Sequence, residues 1–137
     1  MSKRIDISPT EAADPMRLLG WVTLINVLIS AGFAVASLVA PQSILPAGAV
    51  LTDASRIFAM YSAARTIPLA LITLGAFCKR SADGLLALGV LAGSMQLIDF
   101  TIIGFYQHDI GKSVGPLIVS IVQFYAVFAF LKANPKK

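Results

Sequence analysis

Four long apolar runs dominate the sequence, and they leave a chain of this length few ways to fold. They cover about 18–40, 55–78, 84–106 and 114–131, each ended by a proline, a basic residue or a short polar stretch. Each is long enough to cross a hydrocarbon core of roughly 30 Å at about 1.5 Å per helical residue. A lone strand leaves its backbone polar groups unsatisfied in lipid, so the spans should be helices. A β-barrel would alternate apolar and polar positions, and these runs do not. The expected fold is all-α: an integral-membrane four-helix bundle, antiparallel and up-down, over 17–132. A tail at 1–16 precedes it and a tail at 133–137 follows it.

Composition excludes the main alternatives. Hydrophobic residues make up 57% and charged residues 13%, against about 25% charged in soluble domains. Neither a soluble globular domain nor a disordered chain fits. The single cysteine, Cys78, excludes a disulfide framework and a cysteine-built zinc site. The net charge of +4 would suit nucleic acid, but the basic residues lie between the apolar runs. That distribution is the mark of membrane topology, and no nucleic-acid partner is expected.

Lys3, Arg4, Arg17, Lys79, Arg80, Lys132, Lys136 and Lys137 fall on one side, and only Arg56 and Lys112 on the other. Both termini are therefore expected in the cytoplasm, in a multi-pass protein of the cell (inner) membrane. The first run starts late and continues for a full span without a small-residue cleavage site before its end, so a cleaved signal peptide is not expected. The N-terminal tail is mixed in charge, with a surface turn at Ser8-Pro9. The short 78–84 connection should fold spans two and three into a hairpin. Pro68 should kink its helix or free one hydrogen bond. Gly115-Pro116 should open the fourth helix. No internal repeat is visible.

The most informative residues are ionisable groups inside the spans. Arg65 lies in the second run and Asp99 in the third. A lone charge at mid-bilayer costs at least about 2.5–3.5 kcal/mol on the insertion scale. Counting from the outer ends of the runs puts them at roughly 15 Å and 12 Å depth. An ion pair between neighbouring helices is therefore expected, with guanidinium and carboxylate suited to bidentate contact. Other polar residues share helical stripes with them or reach the same level: Asn26 and Ser30, Tyr61 and Ser62, Gln96 and Tyr106, and Ser120 and Gln123.

Two readings follow. A purely structural one makes this level a set of packed hydrogen bonds. The functional one makes it an intramembrane pocket for a lipophilic small molecule, such as a quinone-, isoprenoid- or sterol-like compound. Arg65 would orient an oxygen or anionic group there, and Asp99 would hold Arg65 and act as an acid or base; these two are the catalytic candidates. His108, beside Asp109, stands at the pocket mouth as a ligand contact or a plain interfacial residue. A lone histidine builds no metal site. No cofactor is required, a quinone or other lipid being the one open option. Membrane lipids are expected partners, with a homo-oligomer or a larger membrane complex.

An alternative is a non-catalytic accessory subunit or assembly factor, packing through an exposed small-residue face such as Gly89 and Gly93. A small oligomeric transporter is a third. No GxSxG, HExxH, P-loop or GxGxxG motif supports soluble-enzyme chemistry. Trp21, Tyr61 and Tyr106 read as interfacial aromatic anchors. Phe124, Phe128 and Phe130 read as lipid-facing or packing residues.

The order of these features resembles the DoxX-like family of small four-helix membrane proteins. The resemblance rests on Leu38-Val39-Ala40-Pro41 ending the first span, Ala63-Ala64-Arg65 in the second, Asp99 after a glycine-rich stretch in the third, and His108 shortly beyond. It covers almost the whole chain after Arg17. It implies a four-helix bundle but no single activity: relatives are linked to quinone-coupled redox complexes or to assembly of partner membrane proteins.

Overall fold

Four helices make up nearly all of the computed structural model, which describes residues 14–43, 45 and 48–134. They are α1 (Pro15–Val39), α2 (Asp53–Cys78), α3 (Ala82–Thr101) and α4 (Ile110–Ala133). α3 runs on into a π-helical turn, Ile102–Tyr106, which brings the third span to 25 residues. All four spans are long and apolar enough to cross a membrane. The expected Ser8-Pro9 turn, Lys3, Arg4, Lys136 and Lys137 lie outside the described residues.

Local chemistry sets the helix ends. Pro15 occupies the first turn of α1, where its missing N–H costs nothing, and Asp14 accepts from the Met16 N–H at 3.0 Å. Thr52 and Ser55 form a reciprocal capping box at the start of α2. Ser81 caps α3. Asp109 accepts from the Lys112 N–H at 3.0 Å and pairs with its ammonium at 3.1 Å. The Lys112 N–H holds the Asp109 carboxyl below the usual carboxylate value, with the ammonium adding to the effect. That cap starts α4 at Ile110, ahead of the expected start. Gly115-Pro116 consequently sits inside the helix instead of opening it. Pro116 forfeits only the bond to the Lys112 carbonyl. Pro68 likewise lies within a continuous α2.

The α2–α3 turn closes in a Schellman arrangement. Ser81 N donates to the Ala76 carbonyl at 3.0 Å and Arg80 N to the Phe77 carbonyl at 3.1 Å. The pattern requires a left-handed residue, and Arg80 supplies it at φ 50°. Glycine is the usual occupant, because a side chain there costs roughly 1–2 kcal/mol.

α1 is the hub of the packing. It lies along α2 and also contacts α3 and α4, and α3 packs closely on α4. α2 and α3 are neighbours in sequence, yet they share only a limited seam. One apolar cluster joins Leu19, Leu85, Ala126, Val127 and Phe130, and a second joins Val27, Ala70 and Ala92. Trp21 meets Phe77 edge-on, with ring centroids 4.9 Å apart. Phe130 packs in the core while Phe128 faces outward.

Gly89 and Gly93 are not an exposed small-residue face. Both are buried. A Cβ on Gly89 would stand 3.0 Å from the Gln123 amide nitrogen and 3.1 Å from Leu19 and Thr23. One on Gly93 would stand 3.1 Å from the Phe124 ring. The glycines leave room for Gln123 within the chain itself.

Candidate functional site

The polar residues expected at one level separate into two groups. The first is a buried amide network on α1, α3 and α4. Asn26 Nδ2 donates to Gln123 Oε1 at 3.1 Å. Gln96 Nε2 donates to Asn26 Oδ1 at 2.8 Å and to Ser30 Oγ at 3.1 Å. Gln123 Nε2 donates to Thr23 Oγ1 at 2.9 Å. Ser120 Oγ donates to the Gly93 carbonyl at 3.0 Å, and Ser30 Oγ to the Asn26 carbonyl at 3.1 Å. Thr23 and Gln123 are fully buried. Among the described residues, every buried side-chain nitrogen and oxygen has a partner.

That accounting removes the core from the binding surface. An orphaned buried amide costs about 1–3 kcal/mol, so a ligand entering here would have to replace each bond it broke. Asn26, Ser30, Gln96, Ser120 and Gln123 meet at one level, as their spacing predicts. They meet as a closed structural cluster, and not as the lining of a cavity shared with Arg65 and Asp99. Thr23 belongs to the cluster as well. Its spacing from Asn26 and Ser30 already puts it on their α1 stripe.

The second group faces outward around the α2–α3 seam. Arg65 and Asp99 do not form the expected ion pair. Among the described residues the one ion pair is Asp109–Lys112, and both Arg65 and Asp99 are exposed. The physical reason is azimuth. Successive helical residues turn by about 100°, and the neighbouring Thr66 is the residue buried against the bundle. Arg65 is thereby rotated off the packed face. On α3, Gln96 points inward and Asp99 is carried out toward the rim.

Arg65 lines an open groove of about 530 Å³ with Phe58, Tyr61, Ser62, Thr66 and Met95. Asp99 is one turn beyond Met95 on the same α3 stripe. Tyr61 is 60% exposed and Tyr106 82% exposed. Tyr106 and His108 stand at the end of the third span, away from the amide network, and His108 takes a left-handed φ of 54°. A second open cleft, of about 580 Å³, lies where α1 ends and α2 begins, with Arg56 on its wall. No group of three or more His, Cys, Asp or Glu side chains among the described residues is arranged to hold a metal ion.

The chain matches no protein-family model, no curated protein and no solved structure. The likeness to DoxX-like proteins stands on its short motifs alone.

Proposed function

We propose that this chain is a non-catalytic subunit of the cell membrane, an antiparallel up-down bundle with both termini cytoplasmic. In this reading it associates laterally with a transmembrane partner through the α2–α3 face. One observation carries the proposal: Arg65, within α2, and Asp99, seven residues before the end of the third span, face outward without an ion-pair partner among the described residues. Ionisable residues in spanning segments normally face protein or a water-filled cavity, because lipid exposure is costly. A partner helix on this face removes that cost. The saturated amide core supports the reading from the other direction, since it offers no free polar group.

The test is photocrosslinking in native membranes from a reactive residue placed at Ile98, with Val122 on α4 as control. Adducts should form from the first position and not from the second. They should disappear in Arg65→Leu and Asp99→Leu. Equal labelling from both positions, or none from Ile98, rejects a specific face.

The groove favours one other reading, a lateral site for a quinone-, isoprenoid- or sterol-like molecule with its oxygen or anionic end at Arg65. Its volume of about 530 Å³ lies within the usual range for small-molecule sites. Mass spectrometry of lipids extracted from purified protein should then show a compound that Arg65→Leu loses. An extract identical to that of the variant rejects it.

A further inference from the structure

Resting on the lateral-association reading, we infer that the partner on the α2–α3 face is a second copy of this chain, joined by two reciprocal Arg65–Asp99 ion pairs. The face carries one cation, Arg65 on α2, and one carboxylate, Asp99 on α3, one turn beyond Met95 of the groove. Two copies inserted in the same sense are related by a two-fold axis along the membrane normal. That operation exchanges left and right on the face and preserves depth. It sets α2 of one copy opposite α3 of the other, so each Arg65 meets the partner's Asp99. Such an interface is self-complementary by construction.

The depths converge. Arg65 follows the start of α2 at Asp53 by 12 residues, a depth of about 18 Å from that end. Asp99 precedes the end of the third span at Tyr106 by 7 residues, about 10 Å. Helical side chains lean toward their own N-terminus. Arg65 therefore reaches back toward the start of α2, while Asp99 leans away from the end of its span, and both shifts bring the charged heads closer in depth.

Charge complementarity favours a second copy over a foreign helix. The face brings one positive and one negative group, so two copies satisfy both without any further residue. The flanking Phe58, Tyr61, Ile98 and Ile102 are exposed and uncharged. They add apolar contact and no repulsion.

Cys78 is free and exposed, and as the sole cysteine it offers one labelling site per chain. Dye-labelled protein, diluted into liposomes, should bleach in two steps. Arg65→Asp alone and Asp99→Arg alone each face like charge with like. Each should weaken the dimer at least about tenfold and bleach in single steps. Mixed together, the two variants should pair again, since one brings two carboxylates and the other two guanidinium groups. That rescue also shows that both variants fold. Single-step bleaching of the unaltered protein at every protein-to-lipid ratio overturns the proposal, as does a mixture that stays monomeric. The crosslinks from Ile98 separate this failure from failure of the lateral reading. Adducts at twice the chain mass of 14.5 kDa support the second copy. Adducts of another mass overturn it and leave lateral association standing; no adduct overturns both.

Discussion

α2 and the other three helices are held by different forces. α1, α3 and α4 are stitched together by side-chain hydrogen bonds that cross from helix to helix, through Asn26, Gln96, Ser120 and Gln123. α2 takes no part in that network. Its buried threonines bond only to their own helix, Thr66 to the Ser62 carbonyl at 2.9 Å and Thr73 to the Leu69 carbonyl at 2.8 Å. α2 is thus held to the bundle by apolar packing on α1. Between helices in lipid the hydrophobic drive is missing, so packing alone is a weaker tie. The helix carrying Arg65 is the one least fastened to its own chain.

The sharpest way to break this comparison is Gln123→Leu. It leaves Asn26 Nδ2 and Thr23 Oγ1 without their partner and should cost about 2–3 kcal/mol. Unfolding in mixed bicelles measures it. Replacing Asn26, Gln96 and Gln123 together by leucine should recover most of that loss, because groups removed as a set leave few orphans. A triple variant weaker than the single one would mean that the network does more than satisfy itself.

Next in size is Gly89→Val. The added Cβ stands 3.0 Å from Gln123 and 3.1 Å from Leu19 and Thr23, a few tenths of an ångström inside ordinary contact, and the substitution should cost about 1–3 kcal/mol. The same assay reads it.

On α2 the expected effects are small. Thr73→Val removes a bond to a carbonyl already engaged in the helix and keeps the shape, so the change should be about 0.5 kcal/mol or less. Amides in the middle of α2 should also exchange with deuterium before those of α1 and α4. If Thr73→Val costs as much as Gln123→Leu, α2 is as firmly tied as the rest.

The smallest effect is at the start of α4. The folded carboxyl of Asp109 lies below its ordinary value of 3.8. Its capping contribution is therefore complete above that value and is lost as the pH falls through the lower, folded one. Exchange at the Lys112 and Ser113 amides should accelerate in that acid range. Asp109→Asn, which caps without titrating, should remove the pH dependence.

Much of this was legible in the chain itself. Long apolar runs admit four helices and little else; Asn26 and Gln96 stood out on polar stripes, and Ser30, Ser120 and Gln123 at matching depth. Helical spacing resolves the face of a residue only to about 60°, however. That suffices to group Asn26 with Ser30. It does not separate Gln96, inside, from Asp99, three residues on and at the rim. Depth alone favoured an Arg65–Asp99 pair within the chain, and azimuth decided against it. The early start of α4 had a readable signal in Asp109, since an aspartate ahead of an apolar run is a helix cap. The π-helical turn at Ile102–Tyr106 had no comparable signal.

The amide network also settles a problem of sliding. Apolar helices in a greasy surrounding present much the same surface after a shift of one turn, about 5.4 Å. Packing by itself would offer a ladder of nearly equivalent alignments. Asn26, Gln96 and Gln123 each occur at one height, and a slip of any of the three helices breaks several bonds at once. The cluster therefore acts as a notch that gives those helices a single register, whatever its net contribution to stability.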